Sequence, residues 1–192
     1  CSSDLGVRVA VMFIDFEAQY TETIQHVHEM LAMYCDNIEP HWICVPMLLR
    51  NAVTNYEPRW VCWDESKKDI WIRNKPEGCK GVEDYPFCVP EMEFEEFIVL
   101  FGEWYGQGKL TAGFIGIRAQ ESLHRYCAIA TWEKRDMMWN DRRWTTKIVA
   151  STYNVYPIYD WLTEDIWRYH ARHPEKPHNA IYDRMHMADR KS

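Results

Sequence analysis

The chain has 192 residues, of which 47% are hydrophobic and 27% are charged, and its formal net charge at pH 7 is -7. This length allows one domain with a sizeable apolar core, so we expect residues 1–192 to form a single domain. The negative charge argues against a protein that coats DNA or RNA with its whole surface, although a local basic site is compatible with it.

The seven cysteines are scattered along the chain, and none of them forms a C-x-x-C pair. This pattern favours reduced thiols over a disulfide framework or a zinc site, and we expect Cys35, Cys44 and Cys127 to be buried. No apolar run approaches the ~20 residues of a membrane span, and the sequence carries no secretory signal. These features predict a cytoplasmic protein with no membrane partner and no metal ligands.

The first part of the chain predicts a strand, a helix and a second strand. Residues Val7–Ile14 are mostly apolar, which is typical of a strand in a parallel sheet, and Asp15 and Glu17 follow its carboxyl end. Thr21 is the predicted N-cap of an amphipathic helix that continues to about residue 35. The segment His41–Val45 predicts the second strand.

A long loop and a strongly amphipathic helix come next. Residues 64–90 are rich in charge, proline and glycine, which predicts a loop excursion within the domain rather than a linker between domains. Residues Glu93–Tyr105 place large apolar side chains at helical spacing, and Gly106 and Gly108 mark the end of the helix. The two glycines do not indicate a phosphate loop, because they follow a helix and lack the required spacing.

The segment Leu110–Ile117 is apolar throughout, which predicts a strand buried on both faces of a parallel sheet. Gly113 and Gly116 within it suggest that another group approaches the backbone closely. Ligands of open α/β sheets bind beyond the carboxyl ends of strands, and Arg118 and Arg125 follow this end. Their guanidinium groups could hold an anion through forked hydrogen bonds, or could form ordinary surface ion pairs.

The remaining elements alternate in type. Residues Gln120–Trp132 predict a helix, Ile148–Ile158 an extended segment, and Thr163 the cap of a short helix that ends before Pro174. Between them, residues 134–147 interleave arginine with tryptophan, a pattern that could bind a nucleotide base or could cover the edge of the core. The alternation of strands and helices predicts an α/β fold with a mainly parallel sheet.

Three blocks and a tail of the sequence follow one set of motifs in the same order. Residues 14–23 (IDFEAQYTET) match V-D-T-G-x-x-F-P-E-T, and residues 116–125 (GIRAQESLHR) match G-L-R-R-E-Q-S-x-x-R. Residues 156–167 (YPIYDWLTEDIW) match N-P-L-x-D-W-T-E-E-D-V-W, and residues 177–183 (PHNAIYD) match P-Y-N-P-L-Y-D. In these blocks the chain resembles the phosphoadenosine phosphosulfate (PAPS) reductase-like family of the adenine nucleotide α-hydrolase, or PP-loop ATP pyrophosphatase, group. Further phrases, such as VPMLLRNAVTNYEPRW at residues 45–60, are similar to its immunoglobulin-binding regulator A branch.

The resemblance implies a doubly wound, mainly parallel sheet with helices on both faces and a site for ATP or PAPS, with Mg²⁺ as a further candidate. In this family pattern, Asp15 or Glu17 would contact the ribose or a metal-bound phosphate, whereas Arg118 and Arg125 would bind sulfate or phosphate oxygens. The candidate nucleotide-binding residues are Asp15, Glu17, Gly116, Arg118, Glu121, Ser122 and Arg125.

Two motifs of the family are missing from this sequence. It contains no glycine-rich S-G-G-x-D-S loop, and no cysteine follows Cys127, whereas the reductases carry a reactive cysteine near the C-terminus. We therefore expect the chain to be a fragment that lacks the first strand and the phosphate loop, and not to reduce PAPS by itself.

Two classes of function follow from the resemblance. The first is a PAPS reductase- or sulfurtransferase-like domain of sulfur metabolism, which acts on a sulfonyl- or adenylyl-activated substrate in the full-length protein. The second is a non-catalytic transcriptional or regulatory protein that keeps the fold and works with a nucleic-acid-binding protein partner. A truncated inactive remnant is a further alternative, and an oligomer is compatible with each of them.

Overall fold

The backbone forms short strands and helices in two compact units. A computed structural model describes residues 9–51, 53–130 and 136–189. Unit 1 comprises Cys1–Phe94 and Pro177–Ser192, and unit 2 comprises Glu95–Lys176. Both units contain helices and small sheets, so the prediction of a mixed α/β fold is confirmed. The prediction of one doubly wound sheet, and that of a single domain over the whole chain, stay predictions.

The described residues of unit 1 form two small sheets and two α-helices. Its elements are β1 (Val9–Ile14), α1 (Thr21–Met33), β2 (Ile38–Ile43), β3 (Met47–Arg50), β4 (Arg59–Val61), β5 (Met92–Glu93) and α5 (Ile181–Asp189). Strands β1 and β2 are parallel, with Phe13 opposite Trp42. Apolar runs predicted both strands, although β2 lies at Ile38–Ile43 rather than at His41–Val45. In the second sheet β3 is central, antiparallel to β4 and parallel to β5.

The core of unit 1 lies around the residues that follow β2. Ile43, Cys44 and Met47 are fully buried, together with Cys62 and Trp63 from the end of β4. Residues 64–90, predicted as a loop excursion, contain the 3₁₀ turns Glu65–Ile70 and Val82–Asp84. This loop brings Tyr85 and Cys88 into the same core.

Unit 2 contains the second group of elements. They are the helix α2 (Phe94–Gly106, whose first residue belongs to unit 1), β6 (Thr111–Phe114), α3 (Leu123–Ala130), β7 (Thr145–Val149), β8 (Thr152–Val155) and α4 (Thr163–Arg172). Helix α2 lies within one residue of its predicted bounds, because its apolar spacing buries Phe97 and Phe101 on one face. Its end at Gly106 is followed by Gln107 and Gly108, both with positive φ.

The prediction of an interior strand at Leu110–Ile117 is wrong. Strand β6 contains only Thr111–Phe114, and among the described residues it pairs with β8 alone, in the order β6-β8-β7. Because β6 is a terminal strand of this sheet, Leu110 is 61% exposed and Phe114 is 69% exposed. Apolar composition predicted the strand correctly, but it did not predict how many neighbours the strand has.

Several local predictions also need correction. Helices α1 and α4 begin at Thr21 and Thr163 themselves, so neither threonine is an N-cap. The extended segment predicted at Ile148–Ile158 lies partly in β7 and β8, which form an antiparallel pair. The helix predicted at Gln120–Trp132 is a 3₁₀ turn at Ala119–Glu121 followed by α3, and Trp132 lies outside the described residues.

The exposure of the cysteines differs from the prediction at two positions. Cys44 is fully buried, but Cys35 and Cys127 are exposed. Cys35 follows the end of α1, and Cys127 lies on the outer face of α3, whose other face carries the buried Ile129. None of the described helices combines the length and the apolar composition that a membrane span requires.

Candidate functional site

The Arg118 side chain is the centre of a polar cluster in unit 2. It is 14% exposed and donates hydrogen bonds through two of its nitrogens. Nε donates to Glu121 Oε1 at 3.2 Å, and Nη1 lies 3.2 Å from Gln120 Oε1, 3.3 Å from Thr163 Oγ1 and 3.4 Å from the Trp161 carbonyl oxygen. The guanidinium orientation is therefore determined by four different residues.

Gln120 and Thr163 connect two of the sequence blocks that resemble the family. Gln120 Oε1 accepts hydrogen bonds from the Thr163 backbone N–H at 2.8 Å and from its hydroxyl group at 3.1 Å. The Ala119 N–H also donates to the Tyr159 carbonyl at 2.8 Å. These bonds join residues 116–125 to residues 156–167. The sequence showed the order of these two blocks along the chain, but not that they are in contact.

Glu121 forms ion pairs with both arginines of the cluster. Its Oε1 pairs with Arg118, and its Oε2 pairs with Arg125, which is 48% exposed. Within this group of three, two positive charges face one negative charge. Such an arrangement leaves one positive charge available for an anion such as a sulfate or phosphate group.

Ser122 and Gly116 occupy structural positions beside this cluster. The Ser122 hydroxyl accepts the Arg125 N–H at 3.2 Å, so it caps the first turn of α3. A Cβ added to Gly116 would lie 3.9 Å from Ile158, and one added to Gly113 would lie 3.5 Å from Asn154, both ordinary contacts. Among the described residues, no group of the chain approaches these glycines more closely, so the approach of a further group to this backbone stays a prediction.

Asp15 lies in unit 1, at the carboxyl end of β1, and it is 1% exposed. Its carboxylate accepts the Trp42 indole N–H at 2.8 Å and the Glu17 backbone N–H at 3.0 Å, and it forms an ion pair with Arg73. Because a buried charge is costly without partners, these donors account for the burial of Asp15.

Glu17 has a left-handed backbone conformation, with φ 66°. Its carboxylate accepts the Trp63 N–H at 2.8 Å and the Ile72 N–H at 3.4 Å. The Trp63 indole N–H donates to the carbonyl oxygen of Asp15. A positive φ is strained for a residue with a Cβ, and the hydrogen bonds of the side chain hold Glu17 in this conformation.

Arg73 is the residue of this group that sequence reasoning missed. Besides pairing with Asp15, its guanidinium carbon lies 5.1 Å from the centre of the Trp63 ring, within cation–π distance. Arg73 belongs to the long loop, 58 residues after Asp15, so no local spacing connects the two. One chemical signal in the sequence could have pointed to Arg73. A carboxylate at the end of a buried strand requires a positively charged partner, and the loop at residues 64–90 contains Arg73.

The thiol of Cys44 lies close to this acidic group. Burial raises the pKa of Cys44 well above its usual range, and the neighbouring Asp15 raises it further. The same causes, with Glu17 contributing, raise the pKa of Cys62 to about 11. At neutral pH both thiols are therefore protonated, and neither has the properties of a reactive cysteine.

The first block and the tail of the sequence pattern also come together, in unit 1. The Asn179 side-chain amide donates to the Thr23 hydroxyl at 3.0 Å, and Arg184 forms an ion pair with Glu22. These contacts attach the start of α5 to the first turn of α1. Residues of the first block and of the tail therefore hold α5 and α1 together.

The stretch of arginine and tryptophan forms a hairpin in unit 2. Arg142 lies 5.3 Å from the centre of the Trp144 ring, and Trp139 packs edge-on against Tyr153 at 5.3 Å. Of the two alternatives that the sequence left open, these contacts favour cover for the edge of the core. Residues 134 and 135 of the predicted stretch lie outside the described residues.

Mg²⁺ stays a prediction of the family pattern, since such an ion can be held by one or two carboxylates together with the phosphates of a nucleotide. Within ranges 9–51, 53–130 and 136–189, no three potential His, Cys, Asp or Glu ligands come together. Nitrogen donors of the chain already surround the carboxylates of Asp15 and Glu17. The predicted site residues fall into two groups, Asp15 and Glu17 in unit 1 and the other five in unit 2.

Comparison with known proteins gives two matches. Residues 102–186, which include the Arg118 cluster, match the family model described as the phosphoadenosine phosphosulfate reductase domain. Over 188 residues, the chain is 37% identical to the uncharacterized protein YbdN of Escherichia coli (strain K12), a match that covers 96% of this chain and 45% of that protein. The chain thus spans less than half the length of this curated relative. No solved structure matches the chain.

Proposed function

Because residues 102–186 match the family model of the phosphoadenosine phosphosulfate reductase domain, we propose that the chain binds ATP or PAPS through a sulfate or phosphate group held by Arg118 and Arg125. The family itself points to a nucleotide-binding, sulfur-related function. The observation that supports the finer assignment is the cluster in which these two arginines share the single carboxylate of Glu121.

The chemistry of this cluster favours an oxyanion over a neutral ligand. Arg118 is mostly withdrawn from water, which strengthens its interaction with a charged ligand relative to a fully exposed side chain. Arg125 is more exposed and can move to meet an incoming group. Sulfate and phosphate oxygens accept two parallel N–H bonds from a guanidinium, whereas a lysine offers a single charged centre.

The assignment of Asp15 and Glu17 to the ribose stays a prediction from the family pattern. Three N–H donors of the chain already occupy the Asp15 carboxylate, which offers about four acceptor sites in all. These donors therefore leave about one acceptor site of the buried carboxylate unused. Glu17 accepts two backbone N–H groups and keeps more acceptor capacity than Asp15.

The reaction of the full-length protein is a further proposal, since this chain spans less than half of its curated relative. We propose an enzyme that acts on a sulfonyl- or adenylyl-activated substrate. A regulatory protein that binds the nucleotide without turnover is the alternative, with a nucleic-acid-binding protein as its expected partner. Separate measurements of binding and of turnover distinguish the two.

Calorimetric titration of the intact protein with ATP and with PAPS tests the binding proposal. We expect saturable binding that weakens by about 1.5–3 kcal/mol in Arg118→Ala, because a charged hydrogen-bond donor to the anion is lost. Adenosine, which has no anionic group, should bind equally to the wild type and to this variant.

Arg168→Ala is the matched control for this experiment. Arg168 also lies in unit 2 and pairs with an acidic residue, Asp165, but it is 71% exposed. Its removal should leave the affinity for both nucleotides unchanged. Equal affinities in the wild type and in Arg118→Ala would remove Arg118 from the site, and no binding by the wild type would reject the proposed function.

A further inference from the structure

Gln120 and Thr163 hold Arg118 in one orientation by uncharged groups. The Gln120 side-chain oxygen accepts three hydrogen bonds, one from Arg118 Nη1 and two from Thr163, at 2.8–3.2 Å. The Thr163 hydroxyl lies 3.3 Å from the same Arg118 nitrogen. Each of the three side chains is therefore oriented by the other two.

We propose that Gln120 and Thr163 are positioning residues that direct Arg118 towards a sulfate or phosphate oxyanion. This inference rests on the proposed function and adds to it the reason why the cluster is selective for an anion. Gln120 orients Arg118 without neutralising it. The negative charge of Glu121 therefore balances only one of the two positive charges of Arg118 and Arg125.

The position of the charges explains why an amide is suited to residue 120. A carboxylate at the same place would also accept the Arg118 and Thr163 donors. It would, however, give the cluster two negative charges for two guanidinium groups, and the remaining attraction for an anion would be lost. The amide thus provides the geometry of a carboxylate without its charge.

Orientation is the second contribution of this pair. An arginine side chain has many rotamers, and ordering them when a ligand binds reduces the affinity. Four acceptors from Glu121, Gln120, Trp161 and Thr163 order Arg118 before any ligand is bound. Loss of the Thr163 hydroxyl removes one of these acceptors and leaves the charges of the cluster unchanged.

The test uses inorganic sulfate as the probe and the Nε–Hε NMR signal of Arg118 as the readout. In the wild type we expect a saturable shift of this signal. Gln120→Glu, which is nearly isosteric, should weaken sulfate binding by about tenfold or more because of the added charge. Thr163→Val should weaken it by about threefold to tenfold, and Thr163→Ser should restore affinity to within about twofold of the wild type.

Gln107→Glu is the matched control, since it adds the same charge at an exposed position of unit 2 outside the cluster. It should leave the sulfate affinity unchanged. Thermal unfolding of each variant shows whether the fold is intact, and calorimetry with PAPS repeats the comparison for the nucleotide.

The outcomes separate this inference from the proposed function. If sulfate binds and the two variants weaken it, but the wild type binds neither ATP nor PAPS, the inference holds and the proposed function fails. If sulfate does not affect the Arg118 signal, or if Gln120→Glu and Thr163→Val bind sulfate as the wild type does, the inference is overturned. Variants that lower only the unfolding temperature would likewise overturn it, because the pair would then be merely structural.

Discussion

Single side chains in unit 1 show how burial changes the chemistry of acidic groups. Asp15 keeps a charged partner, Arg73, and two neutral N–H donors, whereas at the thiol of Cys44 the effect of burial on the pKa outweighs the opposing effect of Arg73. The result is that Asp15 tolerates full burial as part of an ion pair, and that Cys44 stays protonated because its pKa is raised by burial first and by Asp15 second.

The exposure and pKa of the thiols predict their order of alkylation. At pH 8, iodoacetamide should modify the exposed Cys35 and Cys127 of the native protein first. Cys44 and Cys62 should react only after unfolding, because both are fully buried and their raised pKa values keep the thiolate fraction low. Mass spectrometry of the peptides over time measures each site separately. Native labelling of Cys44 as fast as that of Cys35 would contradict the structure.

Among the elements, the hairpin at Trp139–Arg142 requires positive φ at its two central residues, which the composition of this stretch did not indicate. The Arg142 N–H donates to the Trp139 carbonyl at 3.0 Å, and the two central residues, Asn140 and Asp141, have φ values of 48° and 58°. Two positive φ values in a two-residue loop correspond to a type I′ turn, for which Asn-Gly is the favoured sequence. The chain therefore has a suitable residue at the first position and a strained one at the second.

This turn predicts a stabilising substitution. Asp141→Gly should raise the free energy of unfolding by about 0.5–1 kcal/mol, because glycine adopts positive φ without a steric cost. Asp160→Gly is the control, since Asp160 is also exposed in a turn but does not have positive φ. There the added freedom of the unfolded chain should lower stability slightly. Urea unfolding of both variants gives the comparison, and a loss of stability in Asp141→Gly would show that the turn differs from the one described.

For the molecule as a whole, four buried acidic groups make the folded state sensitive to alkaline pH. The pKa values of Cys44, Cys62, Tyr85 and Cys88 are all raised, in each case mainly by burial. When the pH exceeds their ordinary values, the unfolded chain loses these protons while the folded chain retains them. The unfolded state then binds fewer protons than the folded state, so the free energy of unfolding falls as the pH rises.

The pH range follows from Cys62, whose pKa rises from 9.0 to about 11. Below pH 9, the contribution of Cys62 to the free energy of unfolding should not change with pH. Between pH 9 and 11, this contribution should fall by about 2–3 kcal/mol. Cys62→Ala should be less stable at pH 7 but should lose less stability over that range, whereas Cys35→Ala should keep the wild-type slope. Urea unfolding at a series of pH values provides the test, and equal slopes for Cys62→Ala and wild type would exclude this contribution.

The sequence by itself determined those features that depend on neighbours along the chain. Periodicity predicted α2 within one residue of its bounds, and apolar runs predicted strands where β1 and β2 lie, because helical and extended spacing act over a few residues. Motif order indicated the family, and among its candidate site residues the structure brings Arg118, Glu121 and Arg125 together. Local pattern was less successful at helix starts, where Tyr20 and Leu162, rather than the following threonines, precede the first helical residue.

Only the tertiary structure decided the features that depend on residues distant in sequence. The sequence did not indicate that Arg73 neutralises Asp15, that Gln120 binds Thr163 across 43 residues, or that β6 is a terminal strand with Leu110 and Phe114 exposed. The physical reason is that the number of strand neighbours, the burial of a charge and the partner of a polar group arise from packing between segments. A local pattern shows what a residue can do, and packing determines which of its possible partners it meets.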